Sequence, residues 1–243
     1  MKITERIAGH LLQKNTVVLT GAGMSTASGL PDFRGDQGLW KNRDPRRLAS
    51  ISAMENSPEE FYEFYRERIR ALLGVRPNRG HEILAWWEQE GYLLGIITQN
   101  VDRLHQEAAS MKVWELHGSL REVRCSRCRR RHGSEMLLER TDCPHCGWPL
   151  RPDVVLFGEY LPEEVLEKAE ELPTSCGCFL VLGSSLEVSP ANWYPSLAKR
   201  SGAELYIVNK TPTPLDSRAD GVIHGDIIET LEEIGKKLAE PKG

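Results

Sequence analysis

No apolar run in the 243-residue sequence approaches the roughly 20 residues a bilayer-spanning helix needs, which excludes that class of membrane protein. A signal-like apolar core is missing too. Met1 to Asn15 is polar, with Ile3, Ile7 and Leu11 at the spacing of one helical face. Excess charge is also lacking: a net charge of −4 gives no global pull toward nucleic acid or an anionic membrane. No internal repeat or low-complexity tract occurs, so solenoids and disordered chains are set aside. What remains is ordinary for a soluble globular protein, at 40% hydrophobic and 27% charged residues. The length suits one full core plus a small satellite domain. Six cysteines without a secretory signal point to metal or thiol chemistry in a reducing compartment, and a cytoplasmic protein is expected.

The charge is unevenly spread. Residues 121–131 carry six arginines against Glu122, while 159–171 carry six glutamates against Lys168. Such a basic run is either a solvated face or a docking surface for an acidic partner.

Short β-branched runs recur along the chain: Thr16–Thr20, Leu93–Thr98, Val154–Phe157, Phe179–Leu182 and Leu205–Val208. Helical patterns lie between most of them, at Pro77–Gln89, Pro162–Leu172 and Ala191–Arg200, and an amphipathic helix closes the chain at Ile227–Leu238. Buried strands alternating with helices predict an α/β fold with a doubly wound, Rossmann-like parallel sheet. Two stretches break the rhythm. Residues 41–74 are charged and helix-forming, with Ser57-Pro58-Glu59-Glu60 as a helix start. Residues 118–150 are rich in arginine and cysteine and lack a periodic core. These two are expected to form a small helical and zinc-binding domain, inserted into a large domain of residues 1–40, 75–117 and 151–243.

The cysteines carry the most specific physical signal. Cys125-x-x-Cys128 and Cys143-x-x-Cys146 stand fourteen residues apart, close to zinc-ribbon spacing. Four thiolates fill a tetrahedral shell and leave no open position, so the zinc is structural. Cys176 and Cys178 flank a glycine before a strand and read as small packing residues.

A glycine-rich segment, Gly21 to Gly35, follows the first strand, where a dinucleotide-binding turn belongs. Thr26 stands at the third glycine of the usual fingerprint, and Trp40-Lys41 lies where a ribose-binding acid is expected. Taken alone, the segment fits a dinucleotide or a turn with no ligand. Gln99-Asn100-Val101-Asp102, Gly183-Ser184-Ser185 and Asn209-Lys210 each follow a predicted strand, and strand ends border the ligand crevice in open α/β sheets. His117 by itself reads equally as a satisfied structural histidine or as a base.

Taken together, GAGMSTASGLPDFRG, TQNVDRLH, ELHGSL, the paired CxxC motifs, VLFGE, GSSLEVSPA and IVNK resemble the sirtuins over nearly the whole chain, from Val17 to about Ile228. The resemblance implies a cleft between the two domains, entered by NAD and by an acylated lysine from opposite sides. It implies His117 as the base, with Asn100 beside it as a second catalytic residue. Asn100, Val101 and Asp102 would line the nicotinamide pocket. Further NAD contacts would come from Gly21, Ala22, Gly23, Ser25, Asp32 and Arg34 of the first loop, with Phe33 covering the reacting carbon and Trp40 nearby. Gln99, Gly183, Ser184, Ser185, Asn209, Lys210 and Ile227 would complete the NAD site. Val154, Phe157, Gly158 and Glu159 would pair with the peptide substrate's backbone. The implied reaction is NAD-dependent lysine deacylation, yielding nicotinamide and O-acyl-ADP-ribose.

Tyr65-x-x-Arg68, upstream of His81, matches the branch of that family that removes succinyl and malonyl groups. The two residues share a helical face, and a guanidinium with a phenol can grip a terminal carboxylate. Leu156 stands where that branch often carries tryptophan, and Asp32 is typical of deacetylase branches. Two other functions are weighed beside deacylation. Mono-ADP-ribosyl transfer would use the same first step, and an NAD-sensing protein would bind without chemistry.

Overall fold

In the computed structural model, which describes residues 1–32, 38 and 44–239, the run TVVLT forms strand β1 (Thr16–Thr20), buried on both faces. The remaining strands are β2 (Leu93–Thr98), β3 (Val113–Glu115), β4 (Gly118–Cys125), β5 (Arg131–Gly133), β6 (Leu150–Val154), β7 (Cys178–Leu182), β8 (Glu204–Val208) and β9 (Gly221–Ile223). Six of them form one parallel sheet in the order β3-β2-β1-β7-β8-β9. The chain winds outward from β1 in one direction and later from β7 in the other. A crevice therefore opens at the carboxyl ends of β1 and β7.

Alternation sets the two faces. Val18, Ile96, Leu180, Leu182, Tyr206 and Val208 meet the helices Ile3–Leu12, Arg79–Gln89 and Ile227–Ala239 on one side. Val17, Leu19, Phe179, Val181 and Ile207 meet Glu163–Ser175 and Tyr194–Arg200 on the other. Each fully buried aliphatic side chain here stabilises the fold by about 1.5–3 kcal/mol. That is why central strands read as continuous apolar runs.

Several expectations need correction. Val154–Phe157 is not a strand of this sheet. The strand is Leu150–Val154, and it pairs antiparallel with β4 in a separate three-stranded sheet, β5-β4-β6. Apolar composition alone does not reveal which sheet a strand joins. The segment expected to be helical over Ala191–Arg200 begins as a 3-10 turn at Ala191–Trp193. Ser57 caps Pro58–Leu72 without a side-chain hydrogen bond, although proline and Glu59 and Glu60 occupy its first turn. β3 and β9, three residues each, carried too little pattern to be foreseen.

A third apolar cluster lies away from the parallel sheet. Phe61, Phe64, Tyr65, Ile69 and Leu72 of the helix Pro58–Leu72 pack on Leu120, Val123, Leu137 and Leu150, with Cys125 and Cys143 among them. The helical stretch and the cysteine-rich stretch thus share one core.

At the amino end of β8, Glu204 accepts hydrogen bonds from Tyr206 and His10 and faces Arg6 at 3.0 Å. The Tyr206 hydroxyl first, then His10, hold its carboxyl at about 2, well below its ordinary 4.5. A depressed carboxylate contributes stability above its unfolded pKa and loses it as pH falls through the folded one. Glu204→Gln is therefore expected to lower Tm at pH 7, with the gap to wild type closing between about pH 4.5 and 2. The side chain is 39% exposed, so screening keeps the effect small. A pH-independent gap in thermal scans would refute the linkage.

Candidate active site

A cleft of about 1130 Å³ opens at the carboxyl ends of β1, β2, β7 and β8. Its floor is made by two loops in near contact. A side chain on Gly21 would meet the Gly183 carbonyl at 2.7 Å, and one on Gly183 (φ +63°) would meet the Met24 nitrogen at 2.6 Å. Glycine at both positions lets the backbones close and leaves the cleft floor bare of side chains. The first loop continues as two 3-10 turns, Ala22–Met24 and Thr26–Ser28. No long helix starts there, in keeping with Thr26 replacing the third glycine.

Beside this floor, Asn100 donates to the Gly21 carbonyl and to Ser25 Oγ, each at 3.1 Å. Ser25 in turn donates to Asp102 Oδ2 at 2.7 Å, and the Leu104 N–H holds Oδ1 at 2.9 Å. Burial raises the Asp102 carboxyl, opposed by the Leu104 N–H and the Ser25 hydroxyl. Three buried side chains from two strand ends form one closed network around a side pocket of about 230 Å³, which Ala22 and Val101 also line.

His117 lies between β3 and β4 and lines the cleft. Its Nδ1 is 3.0 Å from the Gln99 carbonyl. A carbonyl only accepts, so Nδ1 carries the proton and Nε2 of the neutral ring keeps its lone pair. Burial pushes the imidazole below its ordinary 6.5, with the Gln99 carbonyl opposing. At neutral pH the ring is a proton acceptor.

Gly23, Asp32, Ser185, Lys210 and Ile227 line the same cleft. Phe33, Arg34 and Trp40 lie outside the described residues. Gln99 Nε2 donates to Ser184 Oγ at 2.7 Å, linking two residues expected at the dinucleotide. Asn209 Nδ2 donates to the Thr211 carbonyl at 2.8 Å, so its Oδ1 remains as an acceptor for a hydroxyl. Bare backbone on the floor and buried amide, hydroxyl and carboxylate groups around it fit a dinucleotide.

The opposite wall carries the substrate candidates Tyr65, Arg68, Val154, Phe157, Gly158 and Glu159. Glu159 proves to be a brace. Arg151 grips it with two bonds of 2.6 and 2.7 Å, and the Leu156 N–H adds a third at 2.8 Å. Phe157 is tied through its N–H to Ala49 and through its carbonyl to Ile51. Arg68 Cζ sits 5.6 Å from the Phe64 ring centroid and 5.7 Å from that of Tyr65. Burial pushes the Tyr65 phenol up to about 12, so it stays a donor.

In the small sheet, Cys125, Cys128, Cys143 and Cys146 bring their sulfurs within 4.8 Å of one another. Cys125 and Cys146 are 3.4 Å apart, and Cys128 and Cys143 are 3.8 Å apart. Disulfides require about 2.05 Å, whereas a tetrahedral zinc–thiolate shell spaces its sulfurs at about 3.8 Å. Backbone N–H groups of Arg127 and Cys128 point at Cys125 Sγ, each at 3.4 Å, as in a ligating knuckle. The four thiolates fit one zinc ion with no open position.

The Sir2 family model matches residues 21–190. The chain belongs to the Sir2 family. Among its relatives, NAD-dependent protein deacetylase 1 of Geobacillus kaustophilus is 52% identical over 242 residues, covering 99% of both chains. NAD-dependent protein deacetylase of Halalkalibacterium halodurans is 49% identical over 226 residues, 93% of this chain and 95% of the relative. A solved Sir2 structure with a deacetylated p53 peptide and 3′-O-acetyl ADP ribose is 40% identical, with a TM-score of 0.91 and 98% of both chains covered. A Sir2–p53 peptide–NAD+ structure is likewise 40% identical, at a TM-score of 0.87 over 98% of each chain.

This Sir2 chain also lines its cleft with residues that sequence reasoning passed over, among them His224 and Asp226. His224 follows β9, so the strand-end rule would have found it had that short strand been recognised. Its Nδ1 faces the Asn209 carbonyl at 3.2 Å and its Nε2 faces Asp216 at 3.1 Å. No helix among the described residues is long and apolar enough to cross a membrane.

Proposed function

We propose that this chain is an NAD-dependent protein-lysine deacylase, carried by one observation: His117, which lines the cleft, keeps Nε2 unprotonated because its Nδ1–H donates to the Gln99 carbonyl. NAD, when bound, would supply the ribose carbon that nicotinamide leaves and the ribose hydroxyl oxygen on which the acyl group ends. His117 accepts a proton from a ribose hydroxyl, a task suited to a base that is neutral at working pH. Asn100, Ser25 and Asp102 orient nicotinamide through fixed donors and acceptors, and Val101 walls the pocket. Gly21, Gly23 and Gly183 admit the phosphates to the backbone, with Ala22, Ser184 and Ser185 beside them. Asn209 Oδ1 receives a ribose hydroxyl, and Lys210, Asp32 and Ile227 border the cofactor. Residues 154–158 guide the peptide, with Arg151 and Glu159 stiffening that segment. With one water consumed, the products are nicotinamide, free lysine and O-acyl-ADP-ribose.

The acyl range extends to succinyl and malonyl groups in this proposal, because Tyr65 and Arg68 share one helix and line the same cleft. The experiment measures nicotinamide release and kcat/KM on acetyl and succinyl versions of one peptide, in wild type and Arg68→Met. Charged hydrogen bonds of roughly 1.5–3 kcal/mol predict a preference for succinyl of about ten- to hundred-fold. Arg68→Met should erase it and spare deacetylation. Lysine at this position should substitute poorly, lacking the planar fork. If wild type prefers acetyl and Arg68→Met alters neither rate, the enzyme is a deacetylase alone.

We divide the chain functionally into residues 1–40, 75–117 and 151–243, which bind NAD, and a small domain of 41–74 and 118–150. The strand Leu150–Val154 straddles that border. Exposed Arg127, Arg129 and Arg130, with Arg127 stacked 5.0 Å from the half-exposed Trp148 ring, offer a face to an acidic partner. Four cysteines grouped for one metal ion support a reducing compartment, the cytoplasm.

A further inference from the structure

Behind the cleft, two histidines are sealed from solvent, His81 at 0% and His105 at 1% exposure. Neither lines the cleft or its side pocket. Their ring centroids are 4.8 Å apart. Burial holds both neutral, His81 at about 4 and His105 well below its ordinary value.

A neutral imidazole has one donor and one acceptor, which fixes the direction of every bond that follows. The Asn78 N–H donates to His81 Nδ1 at 3.3 Å, so the His81 proton sits on Nε2. That atom and His105 Nδ1 are the two nitrogens of this pair with no hydrogen-bond partner among the described residues. The two rings meet edge-on, at 61° between their planes, with no hydrogen bond between them. Thr20 has one hydroxyl proton and directs it to Thr98, so it can only accept from His105 Nε2 at 3.0 Å, and the His105 proton sits there. That Thr20 bond to Thr98 Oγ1 is 2.7 Å long, and Thr98 Oγ1 also accepts from the Asn100 N–H at 3.1 Å.

The chain ends on a decisive group. The Asn100 N–H and the Gln99 carbonyl belong to one planar peptide unit. Its N–H end is held by Thr98, and its carbonyl end orients His117. Turning one end turns the other. We propose that His105, packed edge-on against the His81 ring, is a positioning residue, acting through Thr20 and Thr98 to fix the peptide plane that aims His117 and Asn100. This rests on the deacylase function proposed above.

The test compares His105→Gln, which keeps an N–H near the Nε2 position, with His105→Leu, which removes it. Deacetylation is measured well below each variant's Tm. His105→Leu should lower kcat roughly tenfold, the scale of one orienting hydrogen bond, while KM for the peptide stays within about twofold. His105→Gln should restore most of kcat. Thr20→Val and Thr20→Ser, which leave both histidines in place, should repeat the pattern, serine being the active one. The double variant His105→Leu/Thr20→Val should be no slower than the poorer single, since both break one chain. A His105→Leu enzyme at wild-type kcat, or glutamine no better than leucine, overturns the proposal. If His105→Leu does not fold, Thr20→Val at the kcat of Thr20→Ser overturns it instead. Wild type that releases no nicotinamide would overturn the function beneath it, a separate result.

Discussion

His117→Ala is expected to remove deacylation while leaving NAD affinity within a few-fold. Losing a general base costs about 10²–10⁴ in rate. The cost falls on turnover because the proton is transferred only as the reaction proceeds, whereas binding draws on groups that are already in place. Those groups sit on other strand ends: Asn100 after β2, Gly183 and Ser184 after β7, Asn209 after β8. The pH profile of wild type should carry an acid limb below pH 6.5, because burial moves the imidazole down and protonation of Nε2 abolishes acceptance. Single-turnover rates and NAD binding by calorimetry measure the two halves of the prediction. Normal turnover in the variant would end the assignment of His117.

Removing zinc should be as damaging, by a different route. One zinc per chain is expected, and Cys143→Ala should lose both metal and fold. Binding to a four-thiolate site contributes about 10–16 kcal/mol in small zinc modules, as much as the whole stability of a typical domain. The damage reaches the cleft along two paths. Cys125 and Cys143 lie in the core that also buries Phe64 and Tyr65, so the helix Pro58–Leu72 loses its support. Cys125 is also the last residue of β4, whose first residue directly follows His117. Elemental analysis with circular dichroism, before and after chelation, checks this. Zinc-free protein that keeps both fold and activity would refute it.

Much of the molecule was legible without coordinates because its signals are local. β1, β7 and β8 are apolar runs long enough to be recognised alone. The zinc ligands announce themselves by spacing, since each knuckle needs two cysteines three positions apart. Glycines 21 and 183 stand where backbones must touch. What stayed hidden depends on partners far away in the chain. β3 and β9 are edge strands of three residues, held by pairing rather than by pattern. Nothing near Glu159 in the sequence shows that Arg151 holds it, and only folding brings the two together.

By itself, then, the order of residues determined the parallel sheet, the zinc quartet and the strand ends that carry polar side chains, because hydrophobic period, ligand spacing and turn chemistry are properties of short segments. Tertiary structure alone decided the tautomer of His117, the brace at Glu159 and the buried line from His105 to Asn100. Each is a hydrogen bond whose direction is fixed by a group eight or more residues away or by the shared burial of its neighbours. Sequence names a donor or an acceptor; where its proton goes is settled by what the fold puts within 3 Å of it.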